Sequence, residues 1–276
     1  GSTIDSFRGE STTYGAGTAK GHGNVASNGD LTLEGSGTVV RGGVYVGRNL
    51  AAGTNTLEQA RVTAPTIHLP PLPSFAAVCS GNSNPALVDC NPPFGTVTAV
   101  LAGSPPTQTV TIGNGQVICM PPGIYCFQQI VVQSGGRLRI LEPVTGISAA
   151  TVIHLGSPAG APALKAQGRI EHGAPMRPNL LRVFSRGDVE ILGWSGAQLH
   201  GLFYLPRSAA RLNINTGGNR MDFHGALYAD QVTLGGGPVD FHVDEDASFD
   251  DFCATPSDPT CKPAFVVRDE WIEERG

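Results

Sequence analysis

The sequence predicts an all-β protein, a single right-handed parallel β-solenoid, and three observations carry that prediction. Gly fills 37 and Pro 21 of the 276 positions, about a fifth of the chain where ordinary usage gives roughly 12%. Helix interiors tolerate neither residue, so helical bundles and doubly wound α/β folds are excluded. A segment repeats: Leu199-His200-Gly201-Leu202-Phe203-Tyr204-Leu205 returns as Phe223-His224-Gly225-Ala226-Leu227-Tyr228-Ala229, 24 residues on, within the range of solenoid periods. Short alternating strands with Gly, Asn or Ser at their corners fill much of the remainder. Hydrophobic residues at 40% suffice for a core, and charged residues at 15% are too few for a disordered chain.

In chain order, Leu31-Thr32-Leu33, Thr38-Val39-Val40 and Val44-Tyr45-Val46 are short strands parted by Glu34-Gly35-Ser36-Gly37 and Arg41-Gly42-Gly43. Leu69-Pro70-Pro71-Leu72-Pro73 cannot pair in a central strand and should run as polyproline II. Residues 65–106 are therefore an excursion from the solenoid, which spans 3–262. Beyond it, Thr107-Gln108-Thr109-Val110-Thr111-Ile112 ends at the turn Gly113-Asn114-Gly115. Strands at 129–132, 137–140 and 151–155 follow. The pair 181–185 and 188–192 forms the coil before the His-Gly repeat, and Asp240-Phe241-His242 echoes Asp222-Phe223-His224 at an offset of 18. Residues 263–276 are expected to cap the last coil, because an open terminal coil exposes unpaired backbone.

Eighteen basic and 23 acidic residues give a net charge of −5, so the chain as a whole is no obvious polyanion binder. The average hides a split. Lys165, Arg169, Arg177, Arg182, Arg186, Arg207, Arg211 and Arg220 face only Glu171, Asp188 and Glu190 between 165 and 220, whereas 240–251 holds six acids and no base. The six cysteines form three close pairs, Cys79 with Cys90, Cys119 with Cys126 and Cys253 with Cys261. Pairing by proximity is the simplest reading among fifteen connectivities. Each small loop would contribute about 2–3 kcal/mol, and disulfides imply an oxidising address. Zinc is disfavoured by the absence of a CxxC spacing. No apolar run is long enough to span a membrane. Gly1-Ser2 reads as a remnant added ahead of the chain, with an export signal or anchor removed.

The order of features resembles the extracellular β-solenoid domain of bacterial type IV pilus-associated, PilX-type proteins and solenoid-bearing minor pilins. The resemblance rests on Ile4-Asp5-Ser6-Phe7 with Tyr14-Gly15, Asn28-Gly29-Asp30-Leu31-Thr32-Leu33 and the Leu-Pro passage. It continues through Pro122-Gly123-Ile124-Tyr125, Gly187-Asp188-Val189, the two His-Gly coils and Phe241-His242-Val243-Asp244-Glu245. It implies an exported, extracellular or cell-surface protein whose partners are pilus or pseudopilus subunits, touching the membrane only through a removed N-terminal segment.

Several patterns bear on chemistry. Asp222 and Asp240 could stack as the carboxylate pair of a β-helix hydrolase or lyase, but the earlier coil has Gln198 at that position and no third acid or base recurs. Gly193-Trp194-Ser195-Gly196-Ala197 lacks the final Gly and the strand-to-helix setting of a nucleophile elbow. His200, His224 and His242 read as a structural ladder and no metal ligand set is assigned. The acids of 240–251 lack EF-hand spacing for calcium. The most suggestive feature is Arg182, Arg186, Arg207, Arg211 and Arg220 on successive coils, which stacking could align into a stripe matching phosphate or carboxylate groups. The sequence therefore predicts a non-enzymatic surface module without cofactor, a minor or tip component of a type IV pilus-like fibre that binds DNA or an acidic polysaccharide in uptake or adhesion. The alternatives are a polysaccharide lyase or hydrolase and a ligand-free spacer.

Overall fold

The structure is a computed structural model. It describes residues 3–7, 25–27, 30–33, 39–41, 44–46, 48–58, 61–62, 71–80, 84, 87–90, 101–102, 108–142, 150–172, 180–192, 197–213, 221–235 and 239–244. The N-terminal strands are β1 (Thr3–Phe7), β2 (Val25–Ser27), β3 (Leu31–Leu33), β4 (Val39–Val40), β5 (Val44–Val46), β6 (Leu50–Ala51), β7 (Thr56–Leu57) and β8 (Arg61–Val62). The excursion carries one helical turn, α1 (Phe75–Val78), and the strands β9 (Val88–Asp89) and β10 (Leu101–Ala102). The main coils supply β11 (Thr109–Ile112), β12 (Val117–Met120), β13 (Gly123–Phe127), β14 (Gln129–Val132), β15 (Arg137–Ile140), β16 (Thr151–Leu155), β17 (Leu164–Ala166) and β18 (Arg169–His172). They finish with β19 (Leu181–Ser185), β20 (Val189–Leu192), the long bent strands β21 (Ala197–Asn213) and β22 (Met221–Gly235), and β23 (Val239–Asp244).

These strands build an all-β parallel solenoid with three faces. The first face stacks β13, β16 and β19, then the middle parts of β21 and β22. The second runs β11, β14, β17, β20, then the last parts of β21 and β22. The third carries β12, β15 and β18, with β18 lying against β21. Alternation along each strand sends one set of side chains inward. Ile118 and Leu138 with Ile170, and Ile112 with Val132, Ala166 and Ile191, form continuous buried ladders in one core. Glycine at the corners has a steric cause. Gly115 and Gly135 have φ of 76° and 80°, conformations that favour Gly. A Cβ on Gly135 would also collide with the Asn114 side chain of the neighbouring coil.

The order of strands in space departs from the order in sequence. β1 is paired on one side with β23 and on the other with β4, and β3 stacks on β22. The N-terminal strands thus extend the stack beyond the last C-terminal coil, and the edge of β23 where a terminal cap was expected is occupied by β1. Residues 245–276, including that cap and the Cys253–Cys261 pair, lie outside the described residues. β8 and β11 consequently stand toward opposite ends of the stack. Seven inter-strand steps separate β6 from β11 along the second face, about 34 Å at the usual strand spacing.

This distance explains the excursion, which is a return strap along the first face. Leu72 packs against the buried cluster of Phe184, Leu202, Tyr204 and Ala226. The Arg186 guanidinium donates to the Pro73 carbonyl and lies 5.1 Å from the Phe75 ring centre. Ser74 caps α1 by accepting from the Ala77 N–H at 3.3 Å. Asn84 accepts from the Cys126 N–H at 2.8 Å and donates to its carbonyl at 2.6 Å. β9 and β10 then close the first coil by pairing antiparallel with β12 and β11.

The strap also corrects the cysteine pairing. Cys79 bonds Cys126 and Cys90 bonds Cys119, each with Cα atoms 5.7 Å apart. Cys119 and Cys126 sit on different faces of one coil, to either side of the Pro121–Pro122 corner, and each is met by the strap as it passes. Both disulfides fit an oxidising compartment. Among the described residues no helix is long and apolar enough to cross a membrane.

Candidate functional site

The outward side chains of the third face gather positive charge. Arg137 and Arg139 alternate with core residues on β15, and Arg169 and Glu171 do so on β18; register sets Arg137 against Arg169 and Arg139 against Glu171. All three guanidinium groups converge on one carboxylate. Arg139 donates to Glu171 Oε2 at 3.1 Å, while Arg137 and Arg169 stand 3.8 and 3.9 Å from Oε1. The Arg side chains are 45%, 40% and 48% exposed, against 22% for the Glu. Facing like charges destabilise a sheet and exposed ion pairs contribute little, so the cluster keeps two surplus charges at half-exposed positions. The second face differs, since Lys165 there has its own partner, Glu190, at 3.8 Å.

The five arginines expected to align do not form one column. Arg182 lies in register between Val152 and Leu202, and Arg211 between Glu190 and Thr233. Arg207 is exposed, near the bulge between Leu205 and Ala209. Arg186 is engaged with the strap, and Arg220 lies outside the described residues. The reason is register: Arg182 and Arg186 belong to the first face and its end, whereas Arg211 is on the second. Of the described basic residues in the charge-rich segment that the sequence marks, only Arg169 belongs to the cluster on the third face, together with the acid Glu171. Arg137 and Arg139 sat in a recognised strand, yet the 32-residue separation between Arg139 and Glu171 matches neither visible repeat length.

The histidine ladder is present. His200 faces His224 and His224 faces His242 in register, with ring centres 4.6 Å apart in both steps. His172 extends the row, edge-on to His200 at 5.3 Å. Burial holds His200 down to about 4, with His242 adding to the effect, and His224 down to about 2, with His200 and His242 adding. His172 is held at about 3, first by burial and then by His200. On the first face His154 stacks on Phe184 at 5.1 Å, and burial followed by the Arg186 charge lowers it to about 4. These four rings are neutral at neutral pH and act as packing groups.

Asp222 and Asp240 do face each other across β22 and β23. Asp240 is only 1% exposed, which keeps a polymer from reaching between the pair as a glycosidase would require. Their carboxylates and the His242 imidazole have ligand atoms within 4.8 Å of one another. Residues 193–196 and the remaining acids of 245–251 lie outside the described residues.

Comparison with family models, curated proteins and solved structures finds no match to this chain. The class of the molecule is therefore defined by its own geometry: a disulfide-strapped parallel β-solenoid with a cluster of three arginines around one glutamate on its third face.

Proposed function

We propose that the protein is a non-enzymatic, exported binding module, a minor or tip component of a type IV pilus-like fibre, whose third face holds a linear polyanion. The observation that carries this reading is the convergence of Arg137, Arg139 and Arg169 on the single carboxylate of Glu171. Guanidinium groups match phosphate and carboxylate in fork geometry, and a sheet of stacked coils holds them at fixed spacing without ordering cost at binding. The two disulfides support export, and the sequence resemblance supplies the fibre. Titration of labelled duplex DNA and of a polyuronate across about 50 to 200 mM salt tests it. Three engaged arginines predict a logarithmic slope for DNA of about −2.7; salt-independent binding or none would remove the proposal.

A second reading, a spacer without ligand, is favoured by the placement of Arg182, Arg207 and Arg211 on separate columns. It predicts no binding to either polymer at the lowest salt.

A further inference from the structure

We propose that Asp222, Asp240 and His242 form a divalent transition-metal site that pins the last two C-terminal strands together. The geometry comes directly from the strands. Asp240 and His242 are two residues apart on β23 and so project from the same side, while register places Asp222 of β22 opposite Asp240. Phe223 and Phe241, which alternate with them, are in the core. One carboxylate oxygen from each Asp and one imidazole nitrogen thus lie within 4.8 Å of each other. A tetrahedral zinc ion with ligands near 2.0–2.2 Å would set its donors about 3.4 Å apart, a closure that side-chain rotation supplies.

The environment suits an ion. Asp240 and His242 are 1% and 3% exposed. Two carboxylates in facing positions repel, and a divalent cation attracts both at once. The donor set selects the ion: mixed imidazole and carboxylate suits zinc and its transition-metal neighbours. Calcium takes six to eight oxygens, whereas three donors including a nitrogen leave zinc one open position for water.

The location gives the site a purpose. β23 is the strand on which β1 docks, with Asp5 opposite His242, so the triad stands at the seam where the N-terminal strands join the C-terminal coils. The ion would brace β22 against β23, the strand that receives β1, at the end of the stack opposite both disulfides.

The test is zinc titration of the full chain after chelator treatment, read by calorimetry and by thermal melting, with calcium as the contrast. One equivalent of zinc should bind and raise the melting temperature by several degrees through mass action, and calcium at the same concentration should not. Asp222→Asn, at the half-exposed member, and His242→Gln should each weaken binding about tenfold or more. Cobalt added to the unsubstituted protein supplies a readout that needs no variant, since its visible absorption reports oxygen and nitrogen ligation at the same stoichiometry. Absence of heat, an unchanged melt and no cobalt spectrum would overturn the proposal. Zinc binding undiminished in both variants would overturn it equally, by placing the metal elsewhere.

Discussion

The first and third faces are sides of the same coils and obey the same alternation of inward and outward side chains, yet their outward columns are opposites. On the first face the column runs Cys126, His154, Phe184, Tyr204 and Tyr228, largely buried, and the strap crosses it. On the third face the outward positions of β15 and β18 are three half-exposed arginines and one glutamate. An apolar outward column in a solenoid therefore marks where the chain itself returns, and a charged one marks where the coil meets solvent or a ligand. The strap exists because β1 lies inside the stack, between β23 and β4, and the chain must travel back from the N-terminal strands to reach its main coils.

Acid should have the largest effect, acting on His154 of the covered face and on the separate row of His172, His200 and His224. Above about pH 6.5 His154, His172, His200 and His224 are neutral in both folded and unfolded chains. Below that value the unfolded chain takes up protons that the folded one refuses, because His154 and His200 titrate near 4, His172 near 3 and His224 near 2. Stability is thus full above pH 6.5 and falls as pH drops toward about 4, by up to about 1.4 kcal/mol per pH unit for each ring. Melting at pH 4.5 should come about 10 °C or more below melting at pH 7.5; equal values would mean that the rings are solvated.

Reduction comes next. The Cys79–Cys126 bond closes a separation of 47 residues and Cys90–Cys119 one of 29, so the chain-entropy model gives about 4 kcal/mol for either taken alone. That exceeds the roughly 2–3 kcal/mol expected of each short loop between neighbouring cysteines. Paired Cys79→Ser and Cys126→Ser substitutions should lower chemical stability by about that amount, and disulfide-linked peptides should join 79 to 126 rather than to 90. Within the covered column, Phe184→Ala removes a ring stacked on His154 and edge-on to Tyr204 and should cost about 3 kcal/mol by denaturant titration. A loss below about 1 kcal/mol would indicate that the strap does not seal the column.

Much of this was legible in local pattern. The offsets of 24 and 18 between His200, His224 and His242 became register, and the turn Gly113-Asn114-Gly115 became a corner. Two kinds of information left no local mark. The docking of β1 on β23 joins residues more than two hundred positions apart through backbone hydrogen bonds, which any alternating strand can make. The coils holding Arg137, Arg139 and Arg169 are separated by connections of unequal length, so no constant offset betrays that their side chains converge. Cysteine proximity misled for the same reason, since neighbours in sequence were sent to different faces and their partners arrived with the strap.

The central claim is that the open face, and not the arginines scattered elsewhere, engages a polyanion. It is tested most directly by comparing two variants in one DNA titration at about 50 mM salt: Arg137→Ala with Arg139→Ala and Arg169→Ala, and Arg182→Ala with Arg207→Ala. The triple variant should keep its fold stability within about 0.5 kcal/mol and lose binding, while the double variant binds as the unsubstituted protein does. Equal binding by the triple variant and the unsubstituted protein would contradict the account.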